Sequence, residues 1–373
     1  MKQIYDPVHG FILLSPLMVH IIDTHEFQRL RDLKQLGATY FVFPSATHSR
    51  LEHSFGVSFL ARETMIALER AQPELNITPR LIELVQIAGL IHDLGHGPFS
   101  HLYDNYIISP NGTHHEKRGC EIFKMMVSNY NLSITEEEVT QIIKMICPTS
   151  EDGWLYQIVA NALNEIDVDK IDYIMRDCYH LGLQTGGEFK RIITQCRVID
   201  NMICYPEKVQ YDIYALFAAR YRLHKQVYHH PAVVAYEFII IDILKEIMKT
   251  NPPFLELTDS IVSCRLHNEF KDKLMDIAER KHARMIWEGR RGHDPVPTHQ
   301  VCGLPNGDQE LIMHEHTIGF VSGDKANPLD NIWVYRNNEP NIKYKLNVKE
   351  SSFIIPEQYQ ETIVRIYAKP KQS

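Results

Sequence analysis

Residues 81–101, LIELVQIAGLIHDLGHGPFSH, decide how the rest of the chain reads. From Leu81 to Ile91 the run is apolar on most sides, so it predicts a buried helix rather than an amphipathic surface one. Its last turn carries His92 and Asp93. Gly95, Gly97 and Pro98 then break the helix and leave His96 and His101 on a turn or a short following helix. An imidazole and a carboxylate at the end of a buried helix cost several kcal/mol unless a metal ion or a hydrogen-bond network compensates them.

Outward from this helix the pattern stays helical. THSRLEHSFGVSFLARETMIALERA (47–71) reads as a helix with His53 near its start. Between Ile22 and Leu36 a helix is expected, capped by Asp23 or Thr24, with Phe27, Leu30 and Leu33 at helical spacing and Gly37 as its stop. The segment NGTHHE (111–116) reads as a loop, and LSITEEEVTQIIKMI (132–146) as a capped amphipathic helix. In NEIDVDKIDYIMRDCYHLG (164–182), Asp169, Tyr173 and Asp177 recur every four residues on one face, while Ile171, Ile174 and Cys178 define another. With helices over 211–230 and 233–249, residues 1–250 read as almost entirely α. Residues 251–373 differ: a charged helix near Phe270 to Glu288, a linker at GRRGHDPVPTHQ (289–300), then strand-like runs TIGFVSG, NIWVYR, IKYKLNV and TIVRIYAK. The expected fold is mainly α, a helical bundle with a small C-terminal α+β lobe.

The bulk numbers agree with this. A chain of 373 residues suits one large domain with a smaller satellite. Its 44% apolar and 23% charged residues are those of a soluble globular protein, and no stretch approaches the roughly 20 apolar residues of a membrane span. The start, MKQIYDPVHGF, does not resemble a secretory signal, so the expected location is intracellular, cytoplasm and nucleus being equally compatible. Seven cysteines, odd in number and never spaced CxxC, argue against a disulfide framework or a thiolate zinc site and read as reduced thiols. A net charge of −8 gives no global attraction to nucleic acid or acidic membranes.

A divalent ion at a hydrolytic site takes neutral imidazoles and carboxylates, with a position left for water or substrate oxygen. His53 upstream, His92–Asp93 at the centre and Asp169 downstream form such a series. Four ligands from three helices suit an ion within a bundle. A two-His, two-carboxylate set accepts magnesium, manganese, iron or zinc.

The motifs DPVHG, FQRLRDLKQLG, FPSATHSRLEHSFGV, GLIHDLGHGPFSH, NEIDVDKIDYIMRDCYHLG and LHKQVYHH resemble the HD superfamily. Within it the chain is similar to the deoxynucleoside triphosphate (dNTP) triphosphohydrolases related to the vertebrate enzyme with a SAM domain before its HD domain. Weaker similarity in NPLDNIWVYR and PEQYQETIVRIYAK extends the resemblance over nearly the whole chain, and no SAM domain is expected before Met1. The resemblance implies an HD-type phosphohydrolase domain over 1–250 and a lobe over 251–373 with oligomerisation or regulatory contacts. The implied reaction is water attack on the α-phosphorus of a dNTP, releasing deoxynucleoside and triphosphate.

Carried over residue by residue, His53, His92, Asp93 and Asp169 match the metal ligands, and His101 and His115 the histidines beside the scissile phosphate. His96 matches a further active-site histidine, either catalytic or orienting Asp93 or a phosphate. Arg50, Lys170 and Arg220 fall where phosphates are contacted. Gln35 and Asp177 match residues around the 3′-hydroxyl, Leu36 and Tyr228 the wall that excludes a 2′-hydroxyl, and Tyr173 the residue under the sugar. His229 departs from the pattern, standing where the vertebrate enzyme has glutamine near the base edge.

The resemblance also implies regulation by a guanine nucleotide such as GTP and assembly into a dimer or tetramer. Lys2, Asp23, Gln28 and Arg31 match one half of a regulatory nucleotide site, with Arg280 and Arg284 as basic residues from a neighbour. For a second, dNTP-selective site Arg191, Lys208 and His230 are retained, but Tyr5, Pro206 and Pro231 stand where polar or basic residues are expected. Two alternatives stay open: an HD phosphohydrolase acting on another nucleotide, and a nucleic-acid-binding or nuclease protein.

Overall fold

The computed structural model describes residues 2–108, 112–264, 270–292, 294, 310–319, 328–347 and 359–370. The strands β1 (Lys2–Asp6) and β2 (Gly10–Leu14) open the chain as a hairpin, followed by helices α1 (Pro16–Ile22), α2 (His25–Gln28), α3 (Arg50–Ala71), α4 (Pro79–Ile91), α5 (His115–Asn129), α6 (Glu136–Ile146), α7 (Val168–Leu181) and α8 (Lys190–Thr194). Strands β3 (Arg197–Ile199) and β4 (Met202–Pro206) precede α9 (Gln210–Leu223), α10 (Pro231–Met248), α11 (Ser260–Cys264) and α12 (Lys271–Ala278). Strands β5 (Arg284–Arg290), β6 (Leu311–Gly319), β7 (Trp333–Arg336), β8 (Glu339–Lys345) and β9 (Gln360–Ala368) complete the described elements. The fold is mainly α, with sheets concentrated towards the C-terminus. Among the described residues no helix is long and apolar enough to cross a membrane.

The helices that carry the candidate ligands begin and end on local chemistry. Thr78 caps α4, its side chain accepting from Leu81 N with Pro79 in the first turn, where a missing N–H costs nothing. Asp167 caps α7 by accepting from Lys170 N, and Gly182, at φ +67°, ends it in the left-handed conformation. Helices α3 and α4 lie against each other so closely that a Cβ on Gly89 would meet Ser58 Cα at 3.1 Å. Val57, Leu60, Ala61, Val85, Ile87 and Leu90 are fully buried between these and the surrounding helices. Each large apolar side chain among them contributes about 1.5–3 kcal/mol, so the frame around His53 and His92 is rigid.

Three local expectations are corrected. The single helix expected over 22–36 is divided: Asp23 ends α1, Thr24 caps α2, and Arg29–Asp32 tightens into a 3₁₀ turn before Leu33 goes extended. The backbone past Asp32 finds partners elsewhere, with Lys34 N bonded to Asp259 Oδ2, Gln35 N to His48 O and Arg50 N to Leu33 O. Tertiary pairing thus overrides the helical spacing. The loop expected at 111–116 ends at His114, and His115 starts α5. The charged helix expected near 270–288 stops at Ala278, and Arg284–Arg290 pairs as a strand with β9.

The first 250 residues are also less purely helical than expected. Besides the N-terminal hairpin they supply β3 and β4, and β4 pairs in parallel with β7, at Tyr205 with Val334 and Pro206 with Tyr335. The resulting sheet has the order β3-β4-β7-β8, and Leu329, Ile332, Val334 and Leu346 join the main core. A second sheet, β5-β9-β6, realises the strand-like runs around 317 and 362. Most of the linker at 289–300, residues 320–323 and 348 of the expected strands, and residues 327 and 356–358 of the last two matched motifs, lie outside the described residues.

Candidate active site

Three helices bring the predicted ligands together. His53 lies in the first turn of α3, His92 caps the end of α4 with Asp93 next to it, and Asp169 lies in the first turn of α7. The Nε2 atoms of His53 and His92 are 3.2 Å apart. Asp169 Oδ1 lies 2.9 Å from the first and 3.5 Å from the second, while Asp93 Oδ1 is 3.4 Å from His92 Nε2. His53 and Asp93 are buried, and the Asp169 side chain is 39% exposed, so the cluster opens to solvent on the α7 side.

Both imidazoles are oriented through their other nitrogen. His53 Nδ1 faces Asp172 Oδ2 at 2.7 Å, and His92 Nδ1 faces the Gly89 carbonyl at 2.8 Å. With Nδ1–H donating, the two Nε2 lone pairs face one another, and a shared cation, a metal ion or a proton, relieves their repulsion. Burial opposes charging His53, but Asp169 and Asp172 push it up to about 10, and Asp93 and Asp169 raise His92 against the same burial. Burial likewise opposes the charge on Asp93, which Arg50 and His92 hold well below the usual carboxylate range. His53, His92 and Asp93 could hold a metal ion, and Asp169 supplies a fourth ligand atom of the right type.

Behind His53 stands a buried polar network that the sequence reading does not assign. Asp172, fully buried, accepts from Arg176 Nε at 2.9 Å and lies 2.5 Å from His9 Nε2. Arg176 also pairs with Asp6 at 2.8 Å, and Asp6 accepts from the backbone of Val8 and His9. The DPVHG turn of the β1–β2 hairpin therefore braces α7. Only glycine fits at position 56 alongside, since a Cβ on Gly56 would lie 1.9 Å from Asp172 Oδ1. The four-residue spacing of Asp172 and Arg176 was the available signal.

A second cluster adjoins the first. His96 Nε2 is 3.2 Å from Asp93 Oδ1, and its ring stacks on His115 at 3.9 Å. His101 meets both rings edge-on, at 5.3 and 5.6 Å. His115 Nδ1 is held by Asp104 Oδ2 at 2.6 Å, and Arg118 bonds both Asp104 and the Gly95 carbonyl. His96, Asp104 and His115 also bring ligand atoms together, although Asp104 is already engaged by Arg118 and His115. Phe99 and Ser100 connect the clusters with φ near +60°, a strained conformation. Asp259 accepting from Phe99 N and Arg50 donating to Ser100 Oγ keep it in place.

Arg50 reaches Asp93 at 2.5 Å, Lys170 pairs with Glu165 at 3.3 Å, and Arg220 donates to the Gly319 carbonyl at the end of β6. All three are buried. Asp177 is gripped by the Tyr228 hydroxyl and by His48 Nε2 at 2.7 Å. Gln35 Oε1 is buried and unpaired among the described residues, and Leu36 and Tyr173 are half-buried. His229 stacks on His316 of β6 at 4.4 Å, which the sequence did not foretell.

Of the residues matched to regulation, Lys2, Asp23, Gln28 and Arg31 line one cavity of about 520 Å³, with Tyr5, Asp6 and Glu52. Gln28 accepts from Arg31 at 3.0 Å. Arg191, Lys208, His230, Arg280 and Arg284 are not among its lining residues. Arg191 pairs with Asp212, His230 caps α10 by accepting from Ala232 N, and Lys208, Arg280 and Arg284 are exposed.

A buried helical pocket with the order His, His-Asp, Asp defines a class, and the HD domain model matches residues 50–177, from Arg50 to Asp177. The chain is 33% identical to the deoxynucleoside triphosphate triphosphohydrolase SAMHD1 homolog of Dictyostelium discoideum, spanning 100% of this chain and 78% of that protein. It is 34% identical to the SAMHD1 of Gallus gallus, over 99% of this chain and 72% of that protein. The HD domain-containing protein L394 of Acanthamoeba polyphaga mimivirus is 32% identical over 97% of this chain and 91% of its own length. The chain belongs to the SAMHD1 family of HD-domain deoxynucleoside triphosphate triphosphohydrolases.

Proposed function

We propose that this protein hydrolyses dNTPs to a deoxynucleoside and inorganic triphosphate, with a divalent metal held by His53, His92, Asp93 and Asp169. The observation that carries the reading is the opposed pair of Nε2 atoms, 3.2 Å apart among carboxylates, with buried Arg50 and a histidine cluster beside it. The metal, when bound, polarises the α-phosphate and neutralises developing charge. Arg50, Lys170 and Arg220 serve the remaining phosphate charge, their burial strengthening each contact. Water oxygen joins the α-phosphorus as the bond to the 5′-oxygen breaks. His115, its ring oriented by Asp104 at Nδ1, delivers a proton to that oxygen. His101 assists the attacking water, and His96 positions Asp93.

Gln35 and the Asp177–Tyr228 pair recognise the 3′-hydroxyl, while Leu36 and Tyr228 leave no space for a 2′-hydroxyl and Tyr173 lies under the sugar. A guanine nucleotide occupies the cavity lined by Lys2, Asp23, Gln28 and Arg31 and promotes a dimer or tetramer, to which Arg280 and Arg284 contribute from a neighbour. Arg191, Lys208 and His230 belong to the second regulatory site.

Incubating the protein with each dNTP and Mn²⁺ or Mg²⁺, with and without GTP, followed by chromatography, tests the assignment. Triphosphate is the expected product. Orthophosphate or pyrophosphate from dGTP would contradict it. Sedimentation with GTP and dATP tests assembly, and a species unchanged by either removes the regulatory reading.

A further inference from the structure

We propose that Cys147 and Cys120 form a redox site, a dithiol that reacts with disulfides of the glutathione class and closes to an intramolecular disulfide between α5 and α6. Cys147 caps the C-terminus of α6 and is exposed; Cys120 is buried in α5; their Sγ atoms are 4.0 Å apart. Cys178, Cys196 and Cys204 are buried, so among the described cysteines Cys147 is the one a dissolved oxidant reaches. An exposed attacking thiol next to a shielded resolving thiol is the arrangement that two-step exchange needs.

The electrostatics support the order of events. A hydrogen bond from the Cys120 thiol lowers Cys147 to about 7 despite partial burial, with Lys117 and His115 also favouring the thiolate. Sharing that bond and being buried push Cys120 up. Near neutral pH Cys147 is therefore well placed as the nucleophile. Its thiolate attacks one sulfur of glutathione disulfide, forming a mixed disulfide and releasing one glutathione thiolate. Cys120 then gives up its proton and attacks the Cys147 sulfur, expelling the second glutathione. Two protein thiols become one disulfide, and one glutathione disulfide becomes two thiols.

Closing the bond shortens the Sγ separation from 4.0 Å to about 2.05 Å. Helix α5 cannot take up this movement freely. Its first turn lies so close to the metal-site turn that a Cβ on Gly95 would stand 2.0 Å from the His115 carbonyl. Whatever part of the movement reaches α5 is therefore passed to His115 and its contact with Asp104. A shift of about 1 Å at such a group lowers turnover about a hundredfold, an expectation that rests on the proposed phosphohydrolase function, whereas disulfide formation does not.

The whole protein, equilibrated in glutathione redox buffers, is alkylated and peptide-mapped. The expected product is a linked pair of peptides containing Cys120 and Cys147. Cys120→Ser should stop at a mixed disulfide of Cys147 with glutathione, and Cys147→Ser should leave Cys120 reduced. A wild-type protein that keeps glutathione on Cys147, or links other cysteines instead, overturns the proposal. Triphosphate release, lost on oxidation and restored by dithiothreitol, reads out the coupling to α5. Full activity of the mapped disulfide form overturns that coupling alone, whereas inactivity of the reduced protein on every dNTP counts against the function rather than the dithiol.

Discussion

Replacing Asp172 with asparagine tests whether the metal site depends on the network behind it. In the folded protein this carboxylate faces His53 Nδ1 at 2.7 Å, accepts from Arg176 and lies against His9, with no solvent exposure. The substituted side chain would be near-isosteric but uncharged, leaving Arg176 with Asp6 as its remaining carboxylate partner. Breaking a buried pair costs about 3–5 kcal/mol, and the retained Asp6 contact places this case near the lower end. An amide can also turn its nitrogen towards His53, which unfixes the ring and costs about 10–100-fold in metal affinity. Denaturant unfolding in metal-free buffer should show the stability loss, and Mn²⁺ titration by calorimetry the affinity loss. Stability within about 0.5 kcal/mol and affinity within about twofold of wild type would refute a supporting role for Asp172.

Three further outcomes are expected. Gly95→Ala places a Cβ 2.0 Å from the His115 carbonyl and 2.4 Å from Gly119 N, so α5 must move and kcat should fall about a hundredfold while metal binding persists. Asp104 is held down to about 2 by His115 and Arg118 against burial. Because its folded pKa lies below the unfolded value of about 3.9, the stabilisation is complete above that value and disappears as pH falls through about 2. Acid unfolding followed by circular dichroism should therefore be flatter in this window for Asp104→Asn, with up to about 2–3 kcal/mol at stake. Finally, Arg31→Glu reverses charge in the cavity shared with Lys2 and Gln28; GTP should lose its effect on sedimentation and rate, while basal hydrolysis at high dNTP stays within about twofold.

The juxtaposition of His53, His92, Asp93 and Asp169 was legible because they sit where helical spacing and helix ends put them: His92 closes an apolar run, and Asp169 and Asp177 share a face of α7. What could not be read were partners set by tertiary contact. His9 and Asp6 belong to a hairpin of short strands, more than 160 residues before Asp172, and no periodicity links them. The broken helix at 22–36 failed for the same reason, since His48 and Asp259 draw its backbone out of helical pairing. Strand β5 was hidden by the charges around Met285–Trp287, which register against β9 only once that partner is present. The His229–His316 stack likewise joins a turn to a distant strand.

The parallel pairing of β4 with β7 has a consequence for biosynthesis. Tyr205 waits for Val334, roughly 130 residues later, before that edge is satisfied and Ile332 and Leu346 seal the neighbouring core. At about 5–20 residues per second the ribosome takes roughly 6–26 seconds over that interval. During it the helices that carry His53, His92 and Asp169 are already made while this part of their core is uncovered, and a chaperone able to hold that surface would decide how much nascent chain reaches the native state.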